Sequence, residues 1–288
     1  MSKPTILLQL DTDDQPSVFD SVVAIDAGVG HLLRHQAITA KNVRERVHGA
    51  IFTRGPGDLK NTAIFVGGSD VAAGEAVLDE IRRAFFGPLR VSVMFDPSGA
   101  NTTAAAAVCA ARRHLELAGA TALVLAATGP VGQRVVRLLA REAAHVRVGS
   151  RSAERAQAVC DAVRTRYGAA QLAAVPTGSP EETASALDGV QVVIAAGAAG
   201  VELVSRDVLL QAGGLRVAID LNAVPPAGIG GVEVTNRGDD REGVFCYGAL
   251  GVGGVKMKVH KAALQRLFEA NDRVLDAEEL YAIACELP

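Results

Sequence analysis

The stretch ALVLAATGPVGQRVVRLLAREAAHVRVGSRSAERA, residues 122–156, joins an apolar run to a glycine-bearing turn, an amphipathic run and a second apolar run ending in Ser-Arg-Ser. Apolar runs of this length read as buried strands, and the amphipathic run opening at Pro130 reads as a helix. Glycines at a strand-to-helix turn let backbone amides approach a phosphate and aim a helix N-terminus at it. Gly129 and Gly132 match the second and third positions of Gly-x-Gly-x-x-Gly, with Ala127 at the first. Thr128, Gly129, Pro130, Val131 and Gly132 are therefore the expected pyrophosphate cradle of a dinucleotide.

The end of the second strand reads the adenosine ribose in such folds, where an acid favours NAD and positive charge with hydroxyl donors favours NADP. Ser150, Arg151 and Ser152 stand there, with Arg155 one helical turn on, which predicts NADP. Two later strand-like runs end in AAGAAG (195–200) and DLNAVPPAGIGG (220–231). Small residues at strand C-termini let backbone approach a flat ring, so Ala196, Gly197 and Asn222 are candidates for the nicotinamide end.

Strand-length and helix-length segments alternate through 120–245, predicting a Rossmann-like domain with a parallel sheet covered on both faces. The preceding region alternates as well: TILLQLD, a helix from Ser17 to Ala27, AIFVGGSD, a helix through AAGEAVLDEIRRAFF, LRVSVMFDP, and a helix through TTAAAAVCAARRHLELA. The strand series of the nucleotide unit reads as finished by Asn222, and the tail from Val255 to Leu287 is helical in pattern. The expected fold is α/β in two domains, with 1–119 and 246–288 forming a smaller α/β domain around 120–245.

With 288 residues, 49% hydrophobic content and a net charge of −3, nothing suggests nucleic acid or an anionic membrane as partner. The N-terminal apolar run is too short for a signal peptide and no later run is an uninterrupted membrane span, so a soluble cytoplasmic protein is expected. Cys109, Cys160, Cys246 and Cys285 form no Cys-x-x-Cys pair and read as buried thiols. His31 with His35, and Asp11 with Asp13 and Asp14, lack completing ligands and read as solvated surface, and no metal site is expected. GVGGVK, ending at Lys256, lacks the Gly-Lys-Ser/Thr ending of a P-loop.

DTDDQPSVFD (11–20), TAIFVGGSDVAAGE (62–75), FFGPLRVSVMFDPSGANTTAAA (85–106), NAVPPAGIGG (222–231), YGALGVGGVKMKVH (247–260) and the tail LDAEELYAIA together resemble the NADP-dependent methylene-tetrahydromethanopterin and methylene-tetrahydrofolate dehydrogenases of methylotrophic bacteria. The resemblance covers nearly the whole chain; Ala127 departs from the family's glycine. It implies a reduced pterin held between two domains, and hydride transfer from its methylene bridge to NADP to leave a methenyl cation. An adjacent nitrogen lone pair stabilises that cation, so orientation is what the protein must supply. Lys256, placed after a Gly-rich loop, is then the candidate for orienting the pterin. Asp20, Asp96, Ser98, Asn101 and Thr102 are candidates for its amino-pyrimidone edge, which offers donors and acceptors. The resemblance also suggests a homo-oligomer, with a trimer among the options. Cyclohydrolase activity is not expected, because the lysine-bearing motif of bifunctional folate enzymes is not recognisable.

Two other readings stay open at this point. A two-domain NADP oxidoreductase resembling shikimate dehydrogenase would share the Ser-Arg-Ser segment but needs its own Lys/Asp pair in the first domain. A non-catalytic NADP-sensing protein would need the cofactor turn alone.

Overall fold

Strands that are apolar along their whole length need cover on both faces, and a computed structural model describing residues 3–287 supplies it with helices. The chain runs β1 (Ile6–Asp11), α1 (Val18–Asp26), β2 (His31–His35), α2 (Val43–Phe52), β3 (Thr62–Gly67), α3 (Val71–Ala84), β4 (Ser92–Phe95) and α4 (Ala100–Arg112). It continues through β5 (Thr121–Leu125), α5 (Pro130–Arg141), β6 (His145–Ser150), α6 (Ala153–Tyr167), β7 (Leu172–Pro176), α7 (Pro180–Leu187), β8 (Val192–Ala195), α8 (Arg206–Leu210), β9 (Val217–Asp220), β10 (Arg237–Arg241) and β11 (Val244–Tyr247). It ends with α9 (Ala249–Arg266), β12 (Val274–Leu275) and α10 (Ala277–Glu286).

Two compact units result: one comprises the chain up to Thr102 and from Met257 onward, the other Thr103–Lys256. The sequence-based boundaries at 119/120 and 245/246 differ from these because the divisions fall inside α4 and α9, where composition changes little.

The first unit holds a five-stranded sheet in the order β12-β4-β3-β1-β2, with every pairing parallel. Its core gathers Leu8, Leu10, Ile64, Val66, Val93 and Phe95 from the strands against Val47, Ile51, Val77 and Ile81 of α2 and α3. Ser17 starts α1 by accepting the Asp20 amide, and Asp70 starts α3 by accepting that of Ala73. HLLRH at 31–35 is an edge strand and not a helix, so the His31 and His35 side chains are not stacked one helical turn apart.

The second unit holds a seven-stranded sheet in the order β10-β11-β9-β8-β5-β6-β7. From β7 to β11 the strands are parallel and follow the 3-2-1-4-5-6 order of a dinucleotide-binding fold, while β10 adds an antiparallel edge. The series therefore does not finish at Asn222, because β11 takes the sixth place beside β9. A second correction concerns Lys256: the Gly-rich segment before it is helical, and Lys256 lies inside α9 and not at a helix start.

Candidate active site

In open α/β sheets ligands bind outside the carboxyl ends of strands, at the place where strand order reverses. In the second unit that place lies between β5 and β8. The chain leaves β5 through Ala126, which adopts a left-handed φ of 53°, and enters α5 with Gly129 as N-cap and Pro130 at its start. A Cβ at Gly132 would lie 2.7 Å from the Ala126 carbonyl oxygen and 2.7 Å from Ala127 Cα, so only glycine lets this helix meet its strand so closely. Ala127 itself is buried and donates its amide to the Gly149 carbonyl at 2.9 Å, so its methyl belongs to the core of the turn.

Helices α6, α7 and α8 each begin on a serine, Ser152, Ser179 and Ser205, whose hydroxyl accepts a first-turn amide. Helix α5 begins with no side-chain cap. An uncapped N-terminus over a glycine approach suits an external anion, so Thr128 to Gly132 fit a pyrophosphate.

At the end of β6, Ser150 is buried and its hydroxyl accepts the Ser152 amide at 3.1 Å, while Arg151 and Arg155 are exposed. The Ser152 hydroxyl caps Arg155 N–H at 3.3 Å and donates to Glu154 Oε2 at 2.9 Å. Glu154 carries no distinguishing signal in the sequence, because an acid in the first turn of a helix is ordinary. Its own amide and the Ser152 hydroxyl hold its carboxyl below the usual range.

In the loop after β8, Ala196 donates its amide to the Leu125 carbonyl, and a Cβ at Gly197 would meet Leu203 at 2.8 Å. Asn222 is turned inward: its amide group donates to the Pro226 carbonyl at 2.9 Å and its oxygen accepts Val224 N–H at 2.9 Å. It shapes the loop, and the loop's main organiser is Asp220. That buried carboxylate accepts the amides of Asn222, Gly228 and Ile229 at 3.0, 2.6 and 3.1 Å. Burial pushes its carboxyl up against the opposing pull of those amides.

The first unit has its own reversal point, between β1 and β3. Asp11 is buried there, accepting the amides of Asp13 and Ser17 at 3.0 Å each. Asp13 accepts both the amide and the hydroxyl of Ser69, from the loop after β3. The solvated-surface reading of Asp11 is thus corrected, since its carboxylate builds the loop. Asp20 is nearly buried beside the same crevice: a Cβ on Gly67 would lie 3.4 Å from Asp11 Oδ2 and 3.7 Å from Asp20 Oδ2.

Asp96, Asn101 and Thr102 come together but face inward. Asp96 accepts the amides of Asn101 and Thr102 at 2.9 and 3.0 Å and the Thr102 hydroxyl at 2.6 Å. Asn101 donates to the Phe95 carbonyl and to Asp276. His260, the last residue of the 247–260 stretch but not among the expected site residues, places Nδ1 3.9 Å from Asp96 Oδ2 and stacks on Phe65. Ser98 alone of this group is exposed, held at a left-handed φ of 56°. Lys256 is half-buried. Among the described residues no cluster of His, Cys, Asp or Glu could hold a metal ion.

Residues 18–98 match the family model described as methylene-tetrahydromethanopterin dehydrogenase, N-terminal. The chain is also 44% identical over 289 residues to the bifunctional protein MdtA of Methylorubrum extorquens, covering 100% of both. The chain belongs to the methylene-tetrahydromethanopterin dehydrogenase family. A second member of the family, the NAD(P)-dependent methylenetetrahydromethanopterin dehydrogenase of the same organism, is 33% identical over 98% of each chain. Quinate dehydrogenase from Corynebacterium glutamicum, with a TM-score of 0.55, 14% identity and coverage of 99% of this chain and 100% of that one, shares the fold of this family member. The 5-ketofructose reductase of Gluconobacter does so too, at a TM-score of 0.54, 15% identity and 98% of each chain.

Proposed function

We propose that the protein oxidises methylene-tetrahydromethanopterin, with methylene-tetrahydrofolate as a second donor, using NADP as the preferred hydride acceptor in the cytoplasm. NADP, when bound, accepts the hydride, and the chain's own residues bind and orient. The observation that carries the cofactor reading is the bare start of α5 after β5, where α6, α7 and α8 of the same unit each start on a capping serine. Arg151 and Arg155 lie at the end of the next strand, where a 2′-phosphate needs positive charge. The substrate reading rests on membership of the family.

In this reading the acids around the β1/β3 crevice, Asp13 and Asp20, take the donors of the amino-pyrimidone edge. Ser98 contributes its exposed hydroxyl. Asp96, Asn101 and Thr102 act one step removed, fixing the backbone from β4 into α4. Lys256 orients the pterin; a general base is not needed because the reacting carbon loses a hydride and no proton. The working form is a homo-oligomer, as the family resemblance suggests.

The test is a mixing assay. Protein, NADP⁺ and methylene-tetrahydromethanopterin should give rising NADPH absorbance, a smaller rate should follow with the tetrahydrofolate donor, and shikimate should give none. Turnover of shikimate alone would assign the chain to the other two-domain chemistry, and NADP binding without turnover of any donor would leave a cofactor sensor.

A further inference from the structure

Glu154 stands where its charge opposes the cofactor that the neighbouring arginines favour. The Ser152 hydroxyl has one hydrogen, and it is given to Glu154 Oε2 at 2.9 Å. The oxygen of that hydroxyl is already engaged as the cap of α6, accepting Arg155 N–H at 3.3 Å. The Ser150 hydroxyl beside it accepts the Ser152 amide. A 2′-phosphate arriving at this helix start meets Arg151 and Arg155, but also an ionised carboxylate holding the serine's only donor. A ribose 2′-hydroxyl meets no such conflict, because it can itself donate to a carboxylate.

We infer that Glu154 is a specificity-setting residue that holds down the preference for NADP and keeps NAD binding within reach. The inference rests on the reading that the adenosine ribose lies at Ser150–Arg155. Two charges about 6 Å apart in surroundings close to water interact enough to change an affinity about threefold. Because Glu154 is exposed, salt screens that effect. A purely structural role in the first turn of α6 would not make the discrimination between two nucleotides depend on salt.

The neighbouring helix provides an internal control, since Ser179 caps α7 and donates its hydroxyl to Glu181 Oε2 at 2.8 Å in the same spacing. The experiment measures dissociation constants for NADP⁺ and NAD⁺ by calorimetry in the full chain, in the wild type and in Glu154→Gln, Glu181→Gln and Arg151→Ala. Gln keeps an acceptor for the serine and removes only the charge. Glu154→Gln should raise the NADP/NAD affinity ratio about threefold at about 20 mM salt, with the gain mostly gone at about 500 mM. Glu181→Gln should leave the ratio unchanged. An unchanged ratio in Glu154→Gln, with a lowered ratio in Arg151→Ala, would overturn the role of Glu154 and leave the ribose reading standing. An equal shift in Glu181→Gln would reduce the effect to net charge and overturn it as well. No change of ratio in Arg151→Ala and Glu154→Gln together would remove the ribose reading and the inference with it.

Discussion

The Asp220 carboxylate lies 2.6 Å from the amide nitrogen of Gly228, eight residues further along the chain, and closes the 221–229 loop on itself. The same carboxylate takes the amides of Asn222 and Ile229. Asp220→Ala would leave buried N–H groups without acceptors, each costing about 1–3 kcal/mol, and should destabilise the protein by roughly 2–4 kcal/mol. The denaturant midpoint should fall accordingly, and the 221–229 loop should lose order; if it holds the nicotinamide as proposed, KM for the cofactor rises. A midpoint equal to wild type would show that the loop finds other acceptors.

Gly132→Ala should be enough to damage the cofactor turn. Its Cβ would be driven against the Ala126 carbonyl and the Ala127 backbone, neither of which is the flexible end of a side chain. Helix α5 must then move away from β5, costing about 1–3 kcal/mol in overpacking and spoiling the amide cradle for NAD and NADP alike. Calorimetric titration with both nucleotides checks this; unaltered affinity for both would make the turn structural only.

Lys256→Ala should lower kcat at least tenfold while the dissociation constant for NADP stays within about twofold of wild type, since a misplaced methylene carbon is costly for hydride transfer. Lys256→Arg should recover activity in part, because a planar fork replaces a point-like ammonium. Full turnover by the alanine variant at saturating pterin would take Lys256 out of the site.

His114 sets a pH dependence of stability. Its Nε2 lies 2.7 Å from the Tyr247 hydroxyl and its ring stacks on Phe245 at 3.9 Å. Burial, aided by Arg113, lowers its pKa from 6.5. The folded chain therefore resists a proton that the unfolded chain accepts. The contribution is full above the unfolded value of 6.5 and is lost as pH falls through the lower, folded value. Between about pH 7.5 and 5.5 the wild type should lose more stability than His114→Gln, read as urea midpoints at each pH. Parallel losses in the two proteins would remove His114 as a source of the acid limb.

The parallel cores were legible because β3, β4, β8 and β9 are buried along their whole length, and such runs announce themselves by composition. Strand β10, RGDDR, contains no apolar residue. It is a strand because Glu242 and Gly243 both take positive φ and fold it back on β11, a hairpin turn that Glu-Gly does not advertise. Glycines hid the first turns of α9, ahead of Val255: Gly251 reads as a loop residue, yet it is there because its helix runs against the Asn236 backbone, where a side chain has no room. In the site, the glycine turn and the arginines were visible as local patterns. Asp11 and Asp220 were not, since an acid that gathers amides from distant positions looks in sequence like any other acid.

The two sheets treat their outermost strands differently. In the larger one, β10 carries four charged residues and a register shift, and β7 ends on Pro176; both features discourage a further strand from adding. In the smaller one, β2 pairs in an uninterrupted register with β1 and offers His-Leu-Leu-Arg-His on its other side, with Leu33 exposed. Among the described outer strands β2 is the best-formed template for a foreign strand, so under heat or crowding intermolecular β-pairing between partly opened chains is expected to start at residues 31–35.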